Sequence, residues 1–124
     1  LLGVTLTVLV QSSSITTSLI VPLAGAGFLS LAQVFPYVLG ANVGTTVTAI
    51  LAALVTGEEV AVTVAFAHLL FNVTGIALIW PVRRLPIALS SLLAEYTLRS
   101  RLVPILYILV TFFLIPLALI YLVR

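Results

Sequence analysis

The chain has 124 residues, 63% hydrophobic and 6% charged, with a formal net charge of +2 and a mean hydropathy of +1.40. Soluble domains carry about 25% charged residues, so this composition excludes a soluble globular fold and makes the chain an integral membrane protein. There is no Cys, which excludes disulfides, thiolate metal sites and a Cys nucleophile.

Leu1–Val10 is apolar and about half a bilayer span long at about 1.5 Å per residue. Neither a basic n-region nor a small-residue cleavage pattern opens it, and a start at Leu1 leads to the expectation of a fragment of a longer chain. It runs into a polar island, Gln11-Ser12-Ser13-Ser14. Ile15–Leu23 is a second short apolar piece, closed by Pro22 and followed by Gly25 and Gly27. Two descriptions fit: a re-entrant hairpin or discontinuous helix with a polar break, or one helix with a serine-rich packing face.

Phe28–Leu39 is an apolar connector in which Pro36 predicts a helix end near Phe35. Gly40 and Gly44 flank Asn42 and predict an unwound turn. Thr45–Leu54 then reads as a new short helix, with Thr45, Thr46 and Thr48 at its N-terminal end, where unpaired N–H groups favour an anion or a polar ligand. Thr56-Gly57-Glu58-Glu59 is an aqueous turn whose acidic pair suits the start of the next helix.

Val60–Trp80 is a full span with Trp80 at the interface. His68 and Asn72 share a face of it and are read as hydrogen-bonding a neighbouring helix. Four of the five Arg lie between Arg83 and Arg101, which places Pro81–Arg101 in the cytoplasm and is a topology signal, not a nucleic-acid patch. Within it, Leu85, Leu89, Leu92, Leu93 and Tyr96 recur at helical spacing, Pro86 suits a first turn, and Glu95 and Arg99 pair at i,i+4. This reads as an amphipathic helix on the membrane surface. Leu102–Val123 is the last span, with a kink expected at Pro116. The chain thus reads as one membrane domain, residues 1–124: a hairpin and broken-helix binding region over 1–54, a span over 60–80, the Arg-rich connection over 81–101 and a span over 102–123.

Catalysis has little to work with. One His, no Asp and three Glu in or near loops make neither a triad nor a metal cluster. A Ser–His hydrolase built on Ser12–Ser14 and His68 lacks an orienting carboxylate and any oxyanion-hole signature. What remains is reversible binding of a small ion by neutral groups. Hydroxyls accept from a cation's field and donate to an anion, and neutral oxygens suit a monovalent cation better than Ca²⁺ or Mg²⁺. A noncatalytic membrane subunit, in which the islands are interhelical glue, is the competing class.

The two islands in order, with Thr17-Ser18, Pro22-Leu23, Pro36, Leu39-Gly40, Asn42-Val43-Gly44-Thr45-Thr46, Thr48–Leu54, His68, Phe71-Asn72, Gly75 and the Trp80–Pro86 stretch, resemble the type II sodium-dependent phosphate cotransporter family, in its second, C-terminal repeat. The resemblance covers most of the chain to about Pro86. It implies an all-α integral membrane fold, one half of an inverted-repeat transporter in the plasma (cell inner) membrane, moving phosphate with sodium by alternating access. Sodium is a coupling ion, and no other cofactor is implied. Ser13 and Ser14 would hold phosphate; Gln11, Ser12, Thr45 and Thr48 would contribute to a sodium site; Asn42 and Thr46 would shape the unwound turn. Ala41 stands where other members carry Ser, which removes one possible hydroxyl ligand. The implied partners are phosphate, sodium, the lipid bilayer and the missing first repeat, with no nucleic acid. Residues 1–82 hold no Arg or Lys, so sodium or the missing half must supply positive charge for a bound phosphate.

Overall fold

A computed structural model describes residues 1–123, all of whose regular structure is helical. The expected membrane domain packs as two compact units, Leu1–Arg83 and Arg84 onward. Three helices among the described residues are long and apolar enough to cross a membrane, Leu31–Thr56, Glu59–Ile79 and the run Leu102–Val123. Their large apolar side chains point outward: Leu51, Leu70, Phe71 and Phe113 are all exposed. That is the surface of an integral membrane protein, for which hydrocarbon is the solvent.

The first unit contains four helices. α1 (Leu2–Val10) ends at Gln11, whose backbone is left-handed at φ 56°. α2 (Ser13–Gly25) starts at once, capped by Ser12, whose Oγ accepts from the Ile15 N–H at 3.3 Å. One left-handed residue and one cap therefore reverse the chain. α2 passes through Pro22, which was expected to close it, and stops at Gly25; Gly27 at φ 80° turns the chain. α3 (Leu31–Thr56) opens where the Ser30 N–H donates to Gln33 Oε1 at 2.9 Å. It ends at Gly57, left-handed at φ 71°, and α4 (Glu59–Ile79) follows with Glu59 in its first turn.

Two expectations for α3 are corrected. The helix does not end before Pro36, and Gly40–Gly44 is not unwound: α3 is one continuous helix of 26 residues. Pro36 lies in its second turn, where only one ladder hydrogen bond is forfeited. Gly40 and Gly44 serve packing instead of flexibility. A Cβ on Gly44 would lie 2.7 Å from Thr7 Cβ and 2.9 Å from the Val4 carbonyl oxygen, and one on Gly40 would lie 3.2 Å from the Val4 nitrogen. Across the seam, Gly3 presses on the Tyr37 carbonyl. Small residues let two helix backbones approach closely in a membrane protein, and dispersion and Cα–H···O contacts then hold them.

This seam fixes the geometry of the unit. Gly3 meets Tyr37 and Ala41, and Thr7 meets Gly44, so α1 and α3 run parallel. α2 then runs back, and the Tyr37 hydroxyl donates to the Thr16 carbonyl at 3.1 Å. The fully buried side chains are Thr7, Thr16 and Thr46, each at 0% exposure. Ala41, Ala53 and Ala65 are buried as well, so the interior is built of small residues while the large apolar side chains face outward, the reverse of a water-soluble core.

α4 packs along α3, and Asn72 Nδ2 reaches the Asn42 carbonyl at 3.5 Å. At its end the Arg83 guanidinium stacks over Trp80, 4.7 Å from the ring centroid, the pairing expected of an interfacial anchor.

In the second unit, α5 (Arg84–Arg99) carries Pro86 in its first turn, and Glu95 and Arg99 pair at 2.8 Å. α6 (Leu102–Leu109) continues into a π-helical stretch, Val110–Leu114, and then α7 (Ile115–Val123). The wide turn comes just before Pro116, whose ring would crowd the Phe112 carbonyl in a regular α-helix. The expected disturbance at Pro116 is thus local overwidening of a continuous helical run.

Candidate functional site

The turn between α1 and α2 stands level with the middle of α3. Thr45 and Thr48 are 14 and 17 residues into that helix, about 21–26 Å along an axis of about 39 Å. There, Gln11 from the turn and Thr45, Thr48, Ala49, Leu51, Ala52 and Val55 from α3 line a cleft of about 500 Å³. Three of the four residues expected at a sodium site are brought together, from elements 34 or more positions apart in sequence.

The hydroxyl protons in this cleft already have acceptors. Thr45 Oγ1 donates to the Ala41 carbonyl at 3.1 Å, and Thr48 Oγ1 donates to the Thr45 carbonyl at 2.8 Å. Each oxygen is left with lone pairs to offer. A hydroxyl in that state is an acceptor, suited to a cation. Gln11 adds a carboxamide, and no formal charge lines the cleft. Gln11 is also the only non-glycine residue at positive φ among those described. A left-handed backbone costs a residue with a Cβ about 1 kcal/mol, and such an outlier is a pointer to function.

The other expected residues are placed differently. Ser12 Oγ is engaged as the α2 cap and does not line the cleft. Ser13 and Ser14 form the first turn of α2, where backbone N–H groups lack helical acceptors and the dipole is positive. Ser14 is exposed and Ser13 half-buried. Thr46 is corrected: it shapes no unwound turn, being wholly buried in continuous helix with its hydroxyl donated to the Val43 carbonyl at 2.7 Å. Asn42 likewise sits in regular helix, exposed, its carbonyl facing Asn72. Ala41 is 1% exposed, tight against α1. His68 does not line this cleft; it lines a second hollow between α3 and α4 with Ala53, Glu58 and Ala65, which shares Ala49 and Ala52 with the first. Of His68 and Asn72, only Asn72 makes the expected bond to a neighbouring helix. No group of three or more His, Cys, Asp or Glu could hold a metal among the described residues.

Sequence reasoning missed the brace behind the turn. Thr7 Oγ1 and Thr16 Oγ1 lie 2.9 Å apart, and Thr16 also reaches the Ser12 and Ser13 carbonyls at 3.2 and 3.1 Å. Thr7 lies one helical turn before Gln11, and that i,i+4 spacing was the available signal.

The model of the family described as Na+/Pi-cotransporter matches residues 1–122. The chain belongs to the Na+/Pi-cotransporter family. Among similar proteins, sodium-dependent phosphate transport protein 2C of Rattus norvegicus is 48% identical over 124 residues, covering 95% of this chain and 20% of that protein. Sodium-dependent phosphate transport protein 2A of Ovis aries is 44% identical over 119 residues, covering 92% and 19%. Sodium-dependent phosphate transport protein 2B of Bos taurus is 44% identical over 123 residues, covering 95% and 18%. The chain therefore spans about a fifth of the length of these curated relatives. No solved structure matches it. Membership of this family agrees with the apolar helices.

Proposed function

We propose that this chain is part of the ion-binding core of a sodium-coupled phosphate transporter in the plasma membrane, as the second, C-terminal repeat of an inverted-repeat transporter. The observation that carries the reading is the cleft at the α1–α2 turn, where Gln11, Thr45 and Thr48 converge. In this reading α1 and α2 form a re-entrant hairpin. Each arm is too short to span a bilayer, at 9 and 13 residues, and the tip lies level with the middle of a helix long and apolar enough to span it.

Sodium sits in the cleft, held by the Gln11 carboxamide oxygen and the Thr45 and Thr48 hydroxyl oxygens, while Ser12 caps the helix that follows Gln11. Phosphate sits at the N-terminus of α2, held by the Ser13 and Ser14 hydroxyls and the free N–H groups of that turn. No Arg or Lys precedes Arg83, so this segment offers phosphate only dipoles. The sodium charge completes the site, and each ion lowers the electrostatic cost of the other. The missing repeat supplies the facing half, and alternating access follows from one half rocking against the other around a fixed midplane site.

The test is radiolabelled phosphate uptake into proteoliposomes holding the full-length protein, with sodium or potassium outside. Uptake with sodium alone, lost in folded Gln11→Ala or Ser13→Ala protein, supports the reading. Equal phosphate affinity without sodium, or no phosphate flux from well-folded protein, refutes it.

A further inference from the structure

Three helices meet at Thr16. Its carbonyl accepts from the Tyr37 hydroxyl of α3 at 3.1 Å, and its own hydroxyl faces Thr7 of α1 at 2.9 Å. The same hydroxyl reaches back to the Ser12 and Ser13 carbonyls at 3.2 and 3.1 Å. Thr16 is thus bonded to the turn at one end and to α3 at the other. Tyr37 shares a face of α3 with Ala41, Gly44 and Thr48, at intervals of four, seven and eleven residues. One helix face therefore carries a cleft hydroxyl and, about three turns before it, the phenol that holds the returning arm of the hairpin.

We infer that Tyr37 is a positioning residue. Through Thr16 it fixes the height and tilt of the α2 N-terminus against the α3 face that bears Thr45 and Thr48, and so sets phosphate affinity. The inference rests on the transport reading above. Its physical basis is that arms of 9 and 13 residues are too short to be rigid by themselves, isolated helices of that length being marginal. Their relative placement must come from tertiary bonds. A helix carbonyl has two lone pairs, so the phenol can bind the one that the helix ladder leaves open and disturb nothing in α2. Binding groups need to be held within about 0.5 Å of their working geometry. A bond from a spanning helix to the fourth residue of α2, one turn from Ser12 and Ser13, acts at that scale.

The experiment compares the full-length transporter with its Tyr37→Phe, Thr7→Val and Thr7→Ser variants in proteoliposomes. Half-saturation for phosphate and maximal rate per reconstituted protein are read together, with amide hydrogen exchange over residues 12–16. Phe keeps the ring and removes only the hydroxyl. Tyr37→Phe is expected to raise phosphate half-saturation about fivefold, the effect of one lost hydrogen bond, with maximal rate and abundance retained. Exchange at Ile15 and Thr16, whose N–H groups bond the Ser12 side chain and carbonyl, quickens by a similar factor. Thr7→Val behaves the same way, and Thr7→Ser, which restores the hydroxyl, returns to the parent values. Unchanged half-saturation in Tyr37→Phe overturns the inference. So does a fall in abundance and maximal rate with half-saturation unchanged, since the bond would then serve folding alone. If the parent protein shows no sodium-dependent phosphate uptake, the transport reading fails by itself. Exchange then decides the positioning role: quickened exchange at Ile15 and Thr16 in Tyr37→Phe sustains it, and unchanged exchange overturns it.

Discussion

Thr7 and Thr16 stand with their hydroxyl oxygens 2.9 Å apart, both wholly buried, on opposite arms of a hairpin whose turn is Gln11-Ser12. A hydroxyl has one proton. Thr16 can direct its own to the Ser12 and Ser13 carbonyls, which leaves Thr7 as the donor in the pair. In a low-dielectric interior an orphaned hydroxyl costs more than a lost bond between two satisfied partners.

That asymmetry is measurable. Thr16→Val strands the Thr7 hydroxyl and should destabilise the full-length protein by about 2–3 kcal/mol, whereas Thr7→Val leaves Thr16 satisfied and should cost about 1 kcal/mol. Thermal unfolding in detergent should rank them in that order. Equal losses would mean that Thr7 has another acceptor once Thr16 is gone.

Gly44 is a packing glycine, and its substitution separates crowding from helix propensity. Gly44→Ala would drive a Cβ to 2.7 Å from Thr7 Cβ, so a loss of about 1–3 kcal/mol is expected. At Gly75 of α4 a Cβ meets nothing within 4 Å, and Gly75→Ala should be neutral or stabilising by up to about 1 kcal/mol. A Gly44→Ala protein as stable as the parent would remove the α1–α3 seam from the account.

Gln11→Gly should split stability from binding. Glycine relieves the left-handed backbone and is expected to stabilise the turn by about 1 kcal/mol. It also removes the carboxamide from the cleft, so the sodium concentration for half-maximal uptake should rise severalfold. A variant that is more stable and keeps its sodium response would take Gln11 out of the site.

Thr48→Val and Thr46→Val form a matched pair two residues apart. Thr48 lines the cleft and Thr46 is buried elsewhere on α3. Only the first should weaken sodium activation of uptake, while both change stability by no more than about 1 kcal/mol. A sodium defect in Thr46→Val with none in Thr48→Val would reverse the assignment of the faces.

The sequence by itself determined the membrane class, because 6% charged residues cannot solvate a surface in water. It determined the last two spans and the polar break at Gln11, where four hydrogen-bonding side chains interrupt an apolar run. It also singled out the two polar islands that hold Gln11, Thr45 and Thr48, since polar side chains in such surroundings need a reason; a sodium role for them is implied only by the family resemblance. What it could not supply was the conformation of Gly40–Gly44. Glycine is compatible with an unwound turn and with a close helix crossing, and local sequence does not distinguish them. The choice was made by α1: Val4 and Thr7 fill the space that side chains at Gly40 and Gly44 would need, and close contact favours unbroken helix. Continuity then set which threonine faces which way, burying Thr46 and turning Thr48 to the cleft, because the direction of a helical side chain follows from the phase of the whole helix. The Tyr37–Thr16–Thr7 brace was hidden for the same reason. Its members lie 9 and 21 residues apart, and only the reversal at Gln11-Ser12 together with the packing of α2 on α3 makes them neighbours.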